Sequence, residues 1–318
     1  MDGLAENLSV LTTAIRQRTL KASIGCVGVG VHTGVRVSMA LRPAPAGHGI
    51  VFRRTDLGAD IPARFDHVVE TRLCTVLGDP ANGDLRVGTV EHVMAAIAGS
   101  GIDNLLIEID GPEVPILDGS AASHLFLIDC AGIVEQDEPR STLEILRRVR
   151  VQDGEAFAEL RPAAFGFDMA VSIEFQAAII GRQALSVRLT PESFRHELAR
   201  ARTFALVQEV SQMQAAGLAR GGSLANALVV DGARVLNPGG LRMADEFVRH
   251  KLLDVVGDIA LAGAPLRGRF VAHRSGHSLN NRLLRALFAD PGAWRQSSSA
   301  ESLSGHSGVQ LPAAAAPA

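Results

Sequence analysis

The segment Asp245-Glu-Phe-Val-Arg-His-Lys-Leu-Leu-Asp-Val-Val-Gly-Asp258 carries one imidazole and two carboxylates at four-residue spacing. Residues four apart share a face of a helix, so His250, Asp254 and Asp258 line up along the helix that the sequence predicts over about 244–262. Imidazole and carboxylate both suit zinc, and this face could supply half of a metal site. The alternative is an ordinary amphipathic helix whose charged face is solvated.

A second candidate half lies upstream, in Thr89-Val-Glu-His92. We predict a helix from Thr89, as its N-cap, to about residue 98. At a helix N-terminus Glu91 could simply stabilise the helix dipole. An adjacent Glu-His pair can also place a ligand, His92, and a general base beside one metal. If the two halves meet, they form a three-ligand centre with a carboxylate to spare, which points to hydrolysis.

Two further segments place polar side chains at junctions between predicted elements. His273-Arg-Ser-Gly-His277-Ser-Leu-Asn-Asn281 lies between a strand at 268–273 and a helix at 279–289, where loops commonly carry function. Its alternative interpretation is a helix-entry turn capped by Ser278. Gly28-Val-Gly-Val-His-Thr-Gly34 lacks the spacing of a dinucleotide-binding loop, so a tight turn between strands is the better prediction.

Composition indicates a folded protein that does not bind nucleic acid. The chain has 318 residues, 47% hydrophobic and 20% charged, enough apolar material for packed cores. A net charge of −3 without a basic block argues against a nucleic-acid partner. Three cysteines without a Cys-x-x-Cys pair fit a reducing compartment. With no secretory signal or transmembrane helix evident, we expect a cytoplasmic protein. This expectation includes a location at the inner face of the inner membrane. We expect that the protein does not need to form an oligomer to function.

Strands followed by helices occur twice along the sequence, which predicts an α+β protein with two similar domains. We expect an N-terminal domain over 1–137 and a C-terminal domain over 142–296. The charged stretch 135–143, which contains Pro139, is the expected boundary. Over 297–318 the sequence turns Ser/Gly-rich and then Pro/Ala-rich, which predicts a disordered tail.

Taken together, these segments resemble the zinc-dependent UDP-3-O-acyl-N-acetylglucosamine deacetylases of lipid A biosynthesis in Gram-negative bacteria, the LpxC family. The resemblance spans roughly 17–295 and is weakest at 150–195. The matching segments, in family order, are Gly28-Val-Gly-Val-His-Thr-Gly34, Val51-Phe-Arg-Arg-Thr-Asp56, Thr71-Arg-Leu-Cys-Thr75, Thr89-Val-Glu-His92, Gly101-Ile-Asp-Asn104, Pro115-Ile-Leu-Asp-Gly-Ser-Ala121, Ala201-Arg-Thr-Phe204, Leu236-Asn237, Asp245-Glu-Phe-Val-Arg-His-Lys251 and Ser275-Gly-His-Ser-Leu-Asn-Asn281.

The resemblance implies two βααβ-type domains with the active site between them, and one catalytic Zn²⁺ per chain. It implies hydrolysis of the N-acetyl group of UDP-3-O-((R)-3-hydroxyacyl)-N-acetylglucosamine, which releases acetate. The residues implied to act are the zinc ligands His92, His250 and Asp254, the general base Glu91, the general acid His277 with its partner Asp258, and the oxyanion stabilisers Lys251 and Thr203.

A substrate-binding surface is implied as well. Phe204 resembles a ring that packs near the substrate, and an insert at about 204–230 would form a channel for the acyl chain. Arg274 would be useful near the diphosphate, and His32 could touch the sugar. Cys74 falls in a matching segment, although by itself it is a small buried hydrophobe. The candidates for the channel lining, whose alternative is the ordinary core of a small βαβ unit, are Val210, Met213, Leu218, Leu224 and Ala227.

Two alternatives to this function stay open. One is a zinc amidase that acts on another acylated sugar nucleotide, which the motifs do not exclude. The other is a non-catalytic sugar-nucleotide sensor on the same scaffold, but such a protein would be expected to have lost at least one of the implied catalytic residues. A purely structural zinc site would need four closed ligands, and the sequence offers three strong ones.

Overall fold

Two large sheets, each with its own pair of helices, organise the described part of the chain. The computed structural model describes residues 15–298. The first half contains, in order, β1 (Arg16–Leu20), β2 (Ile24–Val29), β3 (Arg36–Pro43), β4 (Ile50–Arg54), β5 (Ala59–Pro62), a 3-10 turn (Phe65–His67), β6 (Val68–Glu70), β7 (Val76–Asp79), β8 (Asn82–Val87), α1 (Glu91–Ser100), β9 (Leu105–Ile109), α2 (Ala122–Ala131) and β10 (Ile133–Pro139).

The second half has the same kinds of elements with one inserted unit. It contains, in order, β11 (Ser141–Ile145), β12 (Val149–Asp153), β13 (Ala156–Arg161), β14 (Phe167–Glu174), β15 (Arg182–Arg188), α3 (Pro191–Ser193), a π-helical turn (Phe194–Leu198), β16 (Phe204–Leu206), α4 (Val207–Ala215), β17 (Leu228–Asp231), β18 (Arg234–Val235), α5 (Glu246–Ala260), β19 (Leu266–His273), α6 (His277–Phe288) and β20 (Trp294–Ser298).

The strands segregate by position in the chain. The five-stranded sheet has the order β2-β3-β9-β4-β5, and only its β4–β9 pair is parallel. In the seven-stranded sheet the order is β12-β13-β19-β11-β20, with β14 and then β15 added beside β19. Smaller sheets are formed by β6-β7-β8, by β16-β17-β18 and by the ribbon β1-β10. The mixture of helices and largely antiparallel strands confirms the α+β prediction.

Burial follows the two-residue period of a strand with one covered face. In β14 every second residue is buried, from Phe167 to Ile173, and α5 packs on β14 and β15 to cover that face. α6 packs on β12 and β13, while α2 packs on β2. α1 contacts both α2 and α5, so the contact between α1 and α5 joins the helices of the two large sheets. None of the helices within 15–298 combines the length and apolar character needed to cross a bilayer.

Several local predictions were wrong for identifiable reasons. Thr89 does not cap α1, because its backbone is left-handed (φ 56°) and its hydroxyl donates to Glu113 instead. Ser278 does not cap α6, since the helix already begins at His277 after Gly276. The solvated-face interpretation of α5 is also wrong, because the side chains that share the face with the implied ligands are buried.

The predicted domain boundary consists mostly of strand, and the predicted tail begins inside a strand. Most of 135–143 is strand, with Arg140 between β10 and β11. Ser297 and Ser298 belong to β20, which pairs with β11 antiparallel, so the tail prediction is wrong for these two residues. The remainder of the predicted tail, 299–318, lies outside the described residues, as does 1–14.

Candidate active site

Three buried side chains from α1 and α5 converge on one point. The ligand atoms of His92, His250 and Asp254 all lie within 4.8 Å of one another. The Nε2 atoms of His250 and His92 lie 3.2 and 3.6 Å from Asp254 Oδ1. This carboxylate oxygen is buried and has no hydrogen-bond partner within the described chain. A buried charged oxygen that faces two imidazole nitrogens fits a divalent cation, which would complete its coordination.

Neighbouring groups set the protonation states of two of these side chains, His250 and Asp254. His250 Nδ1 lies 3.1 Å from the Ala201 carbonyl oxygen, which can only accept, so Nδ1 carries the proton and Nε2 keeps its lone pair. Burial lowers the pKa of His250 to about 3, so the ring is neutral at pH 7. Burial opposes ionisation of Asp254, but the ammonium of Lys251, 2.9 Å from Oδ2, helps to hold the pKa of this carboxyl well below its usual range.

Glu91, the first residue of α1, places a carboxylate beside the three-residue cluster. Its side chain is buried, and burial raises the pKa of the carboxyl above its usual value. Its Oε2 accepts a hydrogen bond of 3.0 Å from the main-chain N–H of Thr75. Its Oε1 lies 3.9 Å from Nε2 of His277. A carboxylate with a raised pKa at this place has the properties of a general base.

His277 enters the same space from the first turn of α6. Its Nδ1 donates to Asp258 Oδ2 over 2.9 Å, and Asn280 donates to the same oxygen over 2.8 Å. Burial favours the neutral ring, but the carboxylates of Asp258 and Glu91 outweigh it and raise the pKa of His277 to about 10. The imidazole is therefore protonated at pH 7 and can donate a proton through Nε2.

Thr203, just before β16, and Phe204, the first residue of β16, are the two residues of this segment that are implied to contact substrate. The main-chain N–H of Thr203 donates to the Gly119 carbonyl over 2.8 Å, which ties this segment to the first half of the chain. The ring of Phe204 meets Phe247 edge to face, with centroids 5.0 Å apart. Lys251 Nζ lies 5.6 Å from the Phe204 centroid, so the aromatic ring borders the charged cluster.

A cavity of about 500 Å³ opens from these residues toward the inserted unit. Glu91, His92 and Thr203 line one part of it. Four of the five channel candidates also line it, namely Val210, Met213, Leu224 and Ala227. None of the four is fully buried, so the interpretation of these four as ordinary core is wrong. Leu218 is half-buried and does not line this cavity.

The remaining candidates are spread around the site. His32 lines the cavity, and its main-chain N–H donates to the buried carboxylate of Glu113 over 2.9 Å. Burial lowers the pKa of the His32 ring. Cys74 is buried next to Thr75, does not line the cavity, and has a thiol pKa raised by burial. Arg274 lies outside the cavity wall, where it forms an exposed ion pair of 3.1 Å with Glu155.

Several polar residues that hold the site together were missed by sequence reasoning. Thr75 contacts Glu91 and Asp258, and Glu246 binds the main chain and guanidinium of Arg202 next to Thr203. The one feature of the sequence that could have identified these residues is that they lie within segments that match the family. Their contacts join positions far apart in the chain, which no local spacing reveals.

Comparisons with known proteins agree with this geometry. A sequence model of the family described as LpxC, UDP-3-O-acyl N-acetylglycosamine deacetylase, matches residues 17–289. Proteins named UDP-3-O-acyl-N-acetylglucosamine deacetylase are similar over most of the chain. That of Myxococcus xanthus is 49% identical over 89% of this chain and 89% of its own. The protein of Acidithiobacillus ferrooxidans is 51% identical (88% and 92%), and that of Phenylobacterium zucineum 50% (90% and 98%). The chain therefore belongs to the LpxC family of UDP-3-O-acyl N-acetylglycosamine deacetylases.

Proposed function

We propose that this protein hydrolyses the N-acetyl group of UDP-3-O-((R)-3-hydroxyacyl)-N-acetylglucosamine, the committed step of lipid A biosynthesis. The observation that carries the proposal is the meeting of a His-His-Asp cluster, a buried carboxylate and a protonated imidazole beside one cavity. Amide hydrolysis needs a polarised carbonyl, an activated water and a proton for the leaving amine. Each of these requirements has a matching group here.

His92, His250 and Asp254 are the proposed ligands of one Zn²⁺. Three protein ligands of this type leave a coordination position open, as catalytic zinc sites require. When bound, zinc would polarise the acetyl carbonyl and lower the pKa of water. Asp254 Oδ1 is buried and has no hydrogen-bond partner among residues 15–298, which supports this assignment, because a charged oxygen is otherwise costly to bury without a partner.

Glu91 and His277 are the proposed proton carriers. Glu91 would accept the proton of the attacking water, since its carboxylate faces the cluster and is more basic than usual. His277 would protonate the sugar nitrogen as the C–N bond breaks, and Asp258 would stabilise the imidazolium until then. The products are acetate and the free 2-amino sugar nucleotide that keeps its 3-O-acyl chain.

Positive charge and hydroxyl donors near the cluster would stabilise the tetrahedral oxyanion. Thr203 lines the same cavity as His92, and its hydroxyl is the proposed donor. Lys251 supplies an ammonium that is already held by Asp254. Preorganised donors of this kind contribute to catalysis because they need not reorient as charge develops.

The apolar part of the cavity is the proposed site of the acyl chain. Phe204, Val210, Met213 and Ala227 give this part of the wall its hydrophobic character, and Leu224 adds to it. His32 is proposed to touch the sugar. Arg274 is proposed to lie near the diphosphate; in the structure its guanidinium is bound by Glu155, so this contact would require the ion pair to open.

We also propose that the chain has two domains, 1–137 and 142–296, with the site between them and the acyl channel in the insert 204–230. The separate five-stranded and seven-stranded sheets support this division. A cytoplasmic location is proposed as well, supported by Cys26, Cys74 and Cys130, which are all free thiols in the structure.

An acetate-release assay tests the function. Purified protein is given acylated or unacylated UDP-N-acetylglucosamine, with and without a chelator, and acetate is measured. We expect rapid release from the acylated substrate, little from the unacylated one, and loss of activity with chelator that added Zn²⁺ restores. Equal turnover of both substrates would favour a different amidase. No release from either, by protein that still binds the acylated sugar nucleotide, would favour a sensor.

A further inference from the structure

Thr75 makes two hydrogen bonds that link the proposed base to the partner of the proposed acid. The residue lies just before β7 and is buried, with 2% of its surface exposed. Its main-chain N–H donates to Glu91 Oε2 over 3.0 Å. Its hydroxyl donates to Asp258 Oδ1 over 2.6 Å. One residue therefore contacts two carboxylates on different helices, α1 and α5.

We propose that Thr75 is a positioning residue that fixes the Asp258–His277 pair relative to Glu91. The proposal rests on the function proposed above and adds a residue to which no role has been assigned. Thr75 does not touch the reacting atoms in this arrangement; it acts through Asp258. The hydroxyl holds Oδ1 while His277 and Asn280 hold Oδ2, so donors on both sides set the plane of the carboxylate.

The physical reason for a threonine is its stiffness and its hydroxyl. A β-branched side chain has few χ1 rotamers, so its hydroxyl is directed before the bond forms. A buried carboxylate oxygen that loses its donor is costly, and the group then rotates to find another partner. Rotation of Asp258 would carry His277 with it and change the distance between His277 Nε2 and Glu91, now 3.9 Å. Glu91 and His277 act on the same amide group, so both must be held at fixed positions relative to each other.

The test compares Thr75→Val with Thr75→Ser in the zinc-loaded, full-length enzyme. Valine has nearly the shape of threonine, keeps the main-chain donor to Glu91 and removes only the hydroxyl. We expect kcat to fall about 10-fold with KM within about twofold, because the substrate-binding surface is untouched. Serine keeps the hydroxyl and should recover most of kcat. Wild-type kcat in Thr75→Val would overturn the proposal.

A double-mutant cycle separates positioning from a general loss of structure. If Thr75 acts through His277, Thr75→Val should change the residual rate of His277→Ala by less than about twofold. A merely structural role would lower the rate by the same factor in both backgrounds, and that result would overturn the proposal. Thermal unfolding of all four proteins shows whether a loss follows stability instead.

A measurement without substrate keeps this inference distinct from the proposed function. The Nδ1 proton of His277, which lies in the bond to Asp258, should give a low-field NMR resonance. It should move or broaden in Thr75→Val and stay in place in Thr75→Ser, because only the first variant frees Asp258. An unmoved resonance in Thr75→Val overturns the positioning role even if acetate is released. Absence of acetate release by the wild type would overturn the proposed function alone.

Discussion

Gly257 of α5 lies directly against the main chain of Glu91 at the start of α1. A Cβ atom at Gly257 would overlap the carbonyl group of Glu91 and lie 2.9 Å from its Cα. The missing side chain lets the two helices approach closely at this point. Asp254, one helical turn before Gly257, then comes within reach of His92, which follows Glu91. The close backbone contact between α1 and α5 thus lies one helical turn from the point where His92 meets Asp254.

Substitution Gly257→Ala should separate α1 from α5. Overpacking of this kind typically costs about 1–3 kcal/mol, and we expect a lower thermal midpoint together with less bound zinc per chain. Gly239→Ala is the control, since a Cβ there meets no atom of the described residues within 4 Å. Calorimetry and metal analysis of the two variants provide the measurement. Full zinc content and unchanged stability in Gly257→Ala would contradict the role given to this contact.

Metal content tests the proposed ligands directly. Wild-type protein should bind one zinc per chain, and His250→Ala should lose most of it, because the imidazole that bonds Ala201 is then missing. His196→Ala, an exposed histidine away from the cluster, should keep the wild-type content. Plasma emission spectrometry after dialysis gives the counts. A wild-type enzyme that stays fully active after complete metal removal would exclude this mechanism.

The pH dependence of kcat/KM should report His277. Its pKa is raised from 6.5 to about 10, so the protonated, proton-donating form persists at neutral pH and is lost as pH rises through that value. A divalent cation at the cluster would lower the pKa of His277, so the basic limb of the profile should lie between 6.5 and about 10. Asp258→Asn removes one anion that stabilises the imidazolium and should move this limb down by about one unit or more.

The control for this shift is Asp168→Asn, which changes the same charge far from the cluster in an exposed pair with Arg188. Its profile should match the wild type. A basic limb that does not move in Asp258→Asn would mean that another group, such as Lys251, titrates there.

The sequence revealed the parts of the site that depend on a helical period. His250, Asp254 and Asp258 share a face because they are four residues apart, and the structure places all three there. Their meeting with His92 depends on how two distant helices pack, which spacing alone cannot predict; the family resemblance supplied it. At Thr89, by contrast, the local sequence led to a wrong prediction. The residue type and position are typical of a helix N-cap, but the hydroxyl donates a hydrogen bond to Glu113, which is remote in the chain.

The buried pair of Arg202 and Glu246 should be important for stability. Glu246 is fully buried and accepts hydrogen bonds from the main chain and guanidinium of Arg202 and from the main chain of Arg242. Removal of one partner from such a pair typically costs about 3–5 kcal/mol, because the other charge stays buried. We therefore expect Glu246→Ala to lower the urea midpoint strongly.

The comparison is Glu174→Ala, which breaks an exposed pair with Arg182 and should cost at most about 1 kcal/mol. Equal free energies of unfolding for the two variants would mean that the buried pair is not required for the stability of the fold. Glu246→Ala should also reduce activity beyond its effect on folding, since Arg202 adjoins Thr203.

Selectivity for acylated substrate should depend on the cavity wall at Ala227. Each buried methylene contributes about 0.8 kcal/mol, so four of them correspond to roughly two orders of magnitude in binding. Remote binding energy of this kind can orient the acetamide for reaction. Ala227 lines the cavity, and Ala227→Phe would fill part of the space proposed for the chain. We expect kcat/KM to fall much more for long-chain than for short-chain substrates.

Ala225→Phe is the matched control, because residue 225 is exposed and does not line the cavity. It should leave the ratio of kcat/KM values for long and short chains near that of the wild type. A ratio that changes in Ala227→Phe but not in Ala225→Phe would place the chain against this wall. Equal losses for all chain lengths in Ala227→Phe would instead place the acyl chain elsewhere, since a blocked channel must discriminate by length.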